Sequence, residues 1–152
     1  MKNSFREFQL LQMDKVLAEW KAASFGPRPR VGWVRAIREA LGMSAAALAR
    51  EMGITGGGLH KLESAEASDA ITLASLRKLA AALDCELHYV LLPRNSLAQH
   101  LRNRAETVAR ERLRPVSHSM ALEDQSVDQT QADMQLELAI KALMEGSRRD
   151  LW

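Results

Sequence analysis

The stretch from Ser44 to Glu63 constrains the fold of this chain more than any other. Ala45 to Met52 are strong helix formers, and Ser44 before them is a residue type that commonly caps a helix N-terminus. Gly53 follows the last apolar position, where a left-handed residue typically ends a helix. Thr55 is a second N-cap residue. The stretch therefore predicts two short helices joined by a tight turn.

The apolar residues of this stretch fall on one face of each predicted helix. Leu48, Ala49 and Met52 share a face of the first helix, and Leu59 and Leu62 share a face of the second. Two helices with this spacing form a helix-turn-helix, whose second helix lies in the major groove of DNA in DNA-binding proteins. The alternative is an ordinary hairpin within an all-helical domain, because such motifs also occur without DNA binding.

Charge is unevenly distributed along the chain, although the net charge of its 152 residues is only +2. Residues 26–61 carry six basic and two acidic side chains, whereas residues 115–140 carry five acidic and no basic ones. Segregated blocks of this kind suit one surface for phosphates and another for a different partner. The alternative is chance, since solvated helices often carry unequal charge.

Several classes of function are disfavoured. Cys85 is the single cysteine, which excludes an internal disulfide and a cysteine-based metal site. The four histidines lack metal-ligand spacing, and the glycine run lacks the flanking strand and Lys-Ser/Thr of a phosphate-binding loop. We therefore predict no catalytic residue, metal or cofactor. The N-terminus is amphipathic and no apolar run could span a bilayer, so we expect a cytoplasmic protein without a membrane partner.

The chain divides into four predicted regions with a mainly α fold. They are an N-terminal amphipathic helix with a Pro/Arg linker (1–30), a helix-turn-helix domain (31–84), a dimerisation strand (85–93) and a C-terminal helical region (94–152). Arg28 and Arg30 of the linker either reach a phosphate backbone or only solvate the linker. The N-terminal helix is inferred from apolar residues at helical spacing, namely Phe5, Phe8, Leu11, Val16, Leu17 and Trp20.

In residues 85–92 apolar residues recur at every second position, and Pro93 follows the segment. This pattern predicts one β-strand. A lone strand cannot satisfy its backbone groups, and no second strand is evident. The simplest partner is the same strand of a second subunit in a two-fold homodimer.

The sequence after Pro93 predicts three helices. A basic helix begins after Asn95 or Ser96 and is expected to stop at Pro115. Two further helices are predicted over 116–125 and 128–145, and an acidic block extends from Glu123 to Glu137.

Several short motifs carry a resemblance to known DNA-binding proteins. They are Arg38 to Ser44, Leu48-Ala49, Gly53 to Thr55, Leu62-Glu63 and Leu76 to Leu83. Over this range the chain resembles the repressor-like five-helix DNA-binding bundle of phage repressors and Xre-type regulators. The resemblance implies that Arg38 and Glu63 form a partly buried ion pair that braces the first and third helices.

A wider set of motifs extends over nearly the whole chain. They are Gly32 to Arg38, Thr72-Leu73, Ala82 to Leu87, Leu91 to Arg94 and Met120 to Gln125. With them the chain resembles the small family called mobile mystery protein A, whose members are implied to be encoded beside a Fic/Doc-type protein. That setting suggests either a dimeric autorepressor in a toxin–antitoxin-like operon or an antitoxin that binds the Fic/Doc-type protein through its C-terminal helices. Known Fic-inhibitory helices carry Ser or Thr four residues before a Glu that is followed by Gly or Asn. This chain has Glu145-Gly146 but Lys141 in place of the Ser or Thr, so the motif fails.

One departure from the repressor pattern concerns the start of the recognition helix. Gly56, Gly57 and Gly58 replace the long polar side chains that the resemblance implies there, and glycine cannot reach base edges. The alternatives are weak or unspecific binding, close backbone approach to a phosphate, or an added ordering cost on DNA. We expect double-stranded DNA with an inverted repeat as the ligand. The predicted base-reading residues are Thr55, His60 and Lys61, and the predicted phosphate contacts are Ser44, Arg35 and Arg50.

Overall fold

The computed structural model describes residues 2–122 and 128–152. These residues form seven α-helices and one 3-10 helix, which confirms the mainly α fold class. The α-helices are α1 (Lys2–Ala22), α2 (Trp33–Ala40), α3 (Ala45–Met52), α4 (Gly56–Ala67), α5 (Leu73–Ala82), α6 (Leu97–Leu122) and α7 (Gln129–Glu145), and the 3-10 helix is Arg148–Leu151. They cluster into two compact units, Ser24–Val90 and the described residues of 2–23 with 91–152. Among the described helices, none has both the length and the apolar character needed to cross a membrane.

Helices α2 to α5 pack around the apolar core of the Ser24–Val90 unit. Leu48 of α3, Leu59 of α4 and Leu79 of α5 are fully buried, and Val34 of α2 packs with them. Burial of each such side chain stabilises the fold by roughly 2 kcal/mol. The unit contains four helices, whereas the resemblance implies five, and the chain forms no regular secondary structure from residue 85 to residue 92.

Residues 85–92 form no regular secondary structure, so the predicted β-strand is absent from the single chain. A strand is defined by a hydrogen-bonded neighbour, and residues 2–122 and 128–152 offer no other strand for pairing. Tyr89 is 60% exposed and Leu91 is 85% exposed, so their side chains do not join the core.

Glu66 ties the end of α4 to the start of α2. Its carboxylate accepts hydrogen bonds from the backbone N–H groups of Trp33 at 2.6 Å and Val34 at 3.0 Å, and it is only 2% exposed. Gly32, the N-cap residue of α2, has no side chain that could do this. The distant carboxylate therefore replaces the local cap and also suits the positive end of the helix dipole.

The Pro/Arg linker packs against the same C-terminal end of α4 through Arg28. The guanidinium donates to the backbone carbonyls of Glu66 and Ala67 and forms an ion pair with Asp69 at 3.0 Å. A cation at a helix C-terminus is favourable because the last carbonyls carry partial negative charge. The side chain of Arg28 is thus occupied within the chain, whereas Arg30 is exposed.

Arg38 and Glu63 form a bidentate ion pair between α2 and α4. Arg38 Nε lies 2.7 Å from Glu63 Oε1 and Arg38 Nη2 lies 3.1 Å from Glu63 Oε2. Arg38 Nη1 also donates to the Met43 carbonyl at 3.1 Å. The hydrogen bond from Arg38 to Glu63 raises the pKa of the guanidinium. Both side chains are about nine-tenths buried, so the pair holds charge in a water-poor site.

The other unit is built on the packing of α6 against α7. Its buried core contains Leu101, Ala105 and Ala109 of α6 and Ile140 of α7, with Leu151 of the 3-10 helix fully buried among them. Leu151 therefore docks the C-terminal segment on this core.

Polar contacts at several places join helix α1 to the rest of this unit, and in one of them Lys21 Nζ donates to the Arg94 carbonyl at 3.0 Å. The Asp14 carboxylate accepts from the N–H groups of Leu97 at 2.6 Å and Ala98 at 3.0 Å, and so caps the N-terminus of α6. The Asn3 amide donates to the carbonyl of Glu145 at the end of α7.

Two expectations for this unit are wrong. Helix α6 continues through Pro115 to Leu122, so Pro115 does not stop the basic helix and no separate helix begins at 116. Residues 111 and 115 are exposed, so water can bond to the carbonyl that the proline leaves unpaired. The predicted helical positions 123–125 and the first part of the acidic block from Glu123 to Glu137 lie outside the described residues.

The face of α1 identified from its apolar spacing is mostly exposed. Phe5, Phe8 and Leu11 are 62%, 57% and 64% exposed, whereas Leu10 packs against the core. Apolar residues lie on more than one side of this helix, so its periodicity did not identify the inner face.

We expect Gly32→Ala to destabilise the protein strongly. Gly32 has φ 87° and ψ 162°, a conformation that essentially only glycine adopts, and an added Cβ would lie 2.7 Å from Glu66 Oε2. Backbone strain and displacement of the Glu66 carboxylate should together lower the free energy of unfolding by about 3 kcal/mol. Urea denaturation followed by circular dichroism measures this loss.

Gly42→Ala is the matched control, because Gly42 also has a positive φ of 68° but has nothing within 4 Å of the added Cβ. Equal losses of stability in the two variants would contradict a specific role for the contact between Gly32 and Glu66.

Arg38→Ala should lower the free energy of unfolding by about 3–5 kcal/mol, because it leaves the buried Glu63 carboxylate unpaired. Arg35→Ala on the same helix removes an exposed pair with Glu39 and should cost about 0.5 kcal/mol. Similar urea midpoints for the two variants would show that the buried pair of Arg38 and Glu63 does not stabilise the packing of α2 against α4.

Candidate nucleic-acid interface

The segment from Ser44 to Ala67 folds as two capped helices around a three-residue turn. The Ser44 hydroxyl accepts from Ala47 N–H at 3.1 Å, and the Thr55 hydroxyl accepts from Gly58 N–H at 3.0 Å. Gly53 ends α3 in the left-handed conformation, with φ 66°. Both predicted N-caps and the predicted glycine C-cap are confirmed.

Helix α4 has a buried face and an exposed face. Leu59, Glu63 and Glu66 are buried. The exposed positions recur at helical spacing along the other side and comprise Gly56, Gly57, His60, Lys61 and Ser64. No carboxylate lies on this exposed face, because both glutamates of α4 point inward to α2.

The nine predicted DNA-contact residues all lie in the Ser24–Val90 unit, and eight are exposed. Gly56, Gly57, His60 and Lys61 lie together on the first turns of α4, and Thr55 is its N-cap residue. Ser44 precedes α3, Arg50 is in its last turn, and Arg35 is on α2. The exception is Gly58, which is half-buried beneath the Thr55 hydroxyl.

Three polar side chains of this set, those of Ser44, Thr55 and Arg35, have partners inside the chain. The Ser44 oxygen accepts a capping hydrogen bond, but its hydroxyl hydrogen can still donate to a phosphate. Arg35 Nε donates to Glu39 Oε1 at 2.8 Å, and this hydrogen bond lowers the pKa of the Glu39 carboxyl. Both groups of that pair are about half exposed, so the pair is weak and can open.

The glycines at the start of α4 are not required by packing within the chain. A Cβ added at Gly56 or Gly57 would meet nothing within 4 Å. Each glycine costs about 1 kcal/mol of helix stability relative to alanine. At Gly58 a Cβ would lie 3.2 Å from the Thr55 hydroxyl, so the third glycine has a local steric reason.

Sequence reasoning missed the positioning role of Glu66. The signal available was Gly32, an N-cap position without a capping side chain, which implies that another group must satisfy the first N–H groups of α2. Which residue supplies that group depends on packing between distant helices.

The described residues contain no group of three or more His, Cys, Asp or Glu side chains that could hold a metal ion.

Comparison with known proteins gives one family match. The family model HTH_3, described as helix-turn-helix, matches residues 34–90. No curated protein and no solved structure matches the chain. The family match does not reach the C-terminal helices, so membership of the mobile mystery protein A family stays a prediction. Together with the geometry of α3 and α4, the match supports a DNA-binding helix-turn-helix of the Xre type over this segment of the chain.

Proposed function

We propose that this protein is a dimeric, sequence-specific DNA-binding repressor of its own operon. The observation that carries the proposal is the exposed face of α4, free of carboxylates, on a matched helix-turn-helix segment. The DNA target is a short inverted repeat, with the two α4 helices in successive major grooves about 34 Å apart. The toxin–antitoxin-like operon rests on the resemblance to mobile mystery protein A.

Phosphate contacts are assigned to the cations and hydroxyls around α4. Arg35, Arg50 and Ser44 are exposed on the two preceding helices, where they can reach the DNA backbone on either side of the groove. Phosphate contacts fix orientation and register but do not read sequence.

Base reading is assigned to Thr55, His60 and Lys61, because Gly56 and Gly57 have no side chain. The open space over those glycines supports close approach of the α4 backbone to the DNA. Close approach would bring the N–H groups of the first turn near a phosphate, which the helix dipole favours.

Dimerisation is assigned to residues 85–92. In the single chain they form no regular secondary structure, and Tyr89, Leu91 and Leu92 expose large apolar side chains. Pairing with the same segment of a second copy would satisfy the backbone groups and cover these side chains. A two-fold ribbon would also give the symmetry that an inverted repeat requires.

A second candidate is an antitoxin that binds a Fic/Doc-type protein through the unit containing α1, α6 and α7. The supporting observation is that several large apolar side chains of this unit are exposed, and exposed apolar surface commonly marks protein-binding sites. The largest contributors on α1 and α7 are Phe5, Phe8, Leu11, Met134 and Leu138. Lys141 lies 3.9 Å from Glu145 and occupies the position of the Fic-inhibitory Ser or Thr, so inhibition would need another geometry.

A gel-shift titration on the DNA upstream of the gene, at two salt concentrations and with scrambled competitor, tests the repressor proposal. We expect a discrete shift that survives competitor and weakens steeply with salt, because phosphate binding releases counterions. A shift abolished by competitor, or equal affinity at both salt concentrations, would contradict the proposal. The antitoxin function would then be the favoured candidate.

In the same assay, Gly57→Ala should weaken DNA binding although it stabilises the free protein by about 1 kcal/mol, because the added methyl favours the helix and blocks close approach. Gly26→Ala, in the linker and also in open space, is the control and should leave affinity unchanged.

Tyr89→Pro should convert the dimer to a monomer in sedimentation equilibrium, because proline removes a backbone donor from the ribbon. Tyr89→Ala keeps that donor and should weaken the dimer less. A monomeric wild-type protein at micromolar concentration would contradict the ribbon.

A further inference from the structure

A basic pocket opens beside α4, within the Ser24–Val90 unit. Arg30 forms one wall, Arg35 of α2 the second, and His60 and Ser64 of α4 the third. The cavity measures about 180 Å³, whereas one water molecule occupies roughly 30 Å³ in the liquid. It therefore has room for a tetrahedral anion with some of its water.

The charges around this pocket are available to an anion. Glu63 is the one carboxylate among its lining residues, and both of its oxygens are held by Arg38. Arg35 forms an exposed ion pair with Glu39, and such a pair contributes little free energy. Its guanidinium can therefore leave Glu39 and bind a stronger acceptor such as a phosphate. The pocket thus presents two guanidinium groups, an imidazole and a hydroxyl.

The wall that carries Arg30 is held in place rather than being a loose arm. Arg28, two residues before it, is fixed to the end of α4, and Gly32 N–H donates to the Pro29 carbonyl at 3.0 Å. Proline restricts the backbone at both 27 and 29. The backbone at Arg30 is consequently ordered before any ligand binds, which lowers the entropic cost of binding.

The pocket is continuous with the proposed DNA-binding face. His60 lies one helical turn after Gly56 and Gly57, and Ser64 lies one turn further along the same exposed side of α4. A DNA strand that passes the first turn of α4 would therefore also pass the mouth of the pocket.

We propose that this pocket binds a phosphate group, and we assign it to the backbone of the DNA. The inference rests on the proposed DNA-binding function and adds a defined phosphate site that includes Arg30 and Ser64. Gly56 and Gly57 cannot contact base edges, so in this proposal part of the DNA affinity comes instead from the pocket, which acts as a phosphate clamp on the flanking strand. Such a clamp binds operator and scrambled DNA alike, so its loss should weaken both equally.

The test is the salt dependence of DNA affinity for wild-type protein, Arg30→Ala, Ser64→Ala and Arg77→Ala, measured by fluorescence anisotropy. Arg77 is an exposed cation of α5 in the same unit and outside the pocket, so Arg77→Ala controls for the loss of one charge. We expect Arg30→Ala to reduce the slope of log affinity against log salt by about 0.9 and to weaken binding about tenfold at low salt. Ser64→Ala should weaken binding to operator and scrambled DNA by the same factor, and Arg77→Ala should leave the slope unchanged.

Three results would overturn the proposal in distinguishable ways. If the wild-type protein binds with a steep salt slope and Arg30→Ala matches Arg77→Ala, the pocket is not a phosphate clamp, but the DNA-binding function stands. If the wild-type protein binds no DNA, both the phosphate site and the proposed DNA-binding function are refuted. If inorganic phosphate shifts the amide resonances of His60 and Ser64 in wild type but not in Arg30→Ala, while the DNA slopes agree, the pocket takes free phosphate instead of the DNA backbone.

Discussion

The helix-turn-helix unit depends on two carboxylates of α4 that are buried against α2. Glu63 holds the Arg38 guanidinium in a bidentate pair, and Glu66, one turn later, caps the N-terminus of α2. A buried charge without a partner costs several kcal/mol, so neither contact can open cheaply. These contacts fix the rotation of α4 about its own axis. The side without carboxylates therefore faces outward, and both negative charges are kept away from a DNA phosphate.

The exposed side of α4 differs from a surface built to read bases. Gly56 and Gly57 lower the stability of the first helical turn, and nothing inside the chain needs them. Their cost is explained if another molecule approaches the bare backbone. Recognition would then depend on the few side chains further along, His60 and Lys61, and on phosphate contacts around them. A protein of this kind should show high salt sensitivity, and its discrimination between sequences should depend on those few side chains.

Local features of the fold could be predicted from the sequence, whereas contacts between distant segments could not. The caps at Ser44 and Thr55 and the left-handed Gly53 follow from residue types within one turn, and the structure contains them. The caps supplied by Glu66 and Asp14 come from residues far away in sequence, for which no local pattern exists.

The local preference of proline predicts that the helix ends at Pro115, but an exposed helix position tolerates the lost hydrogen bond and the helix continues. The alternating residues 85–92 have the strand pattern, yet a strand needs a neighbour that the described residues of one chain lack. The DNA contacts themselves remain proposals, because exposure shows which side chains are accessible and not what they bind.

The measurement that tests the central claim most directly is an amide NMR titration of the full chain with duplex DNA from upstream of its gene. Glycine amides resonate in a region of their own, so Gly56 and Gly57 report on the first turn of α4 even in a crowded spectrum. We predict saturable shifts largest at Thr55 to Lys61 and small shifts on α1 and α7. Shifts confined to α1 and α7, or none at a concentration that saturates a known helix-turn-helix protein, would contradict DNA recognition through α4.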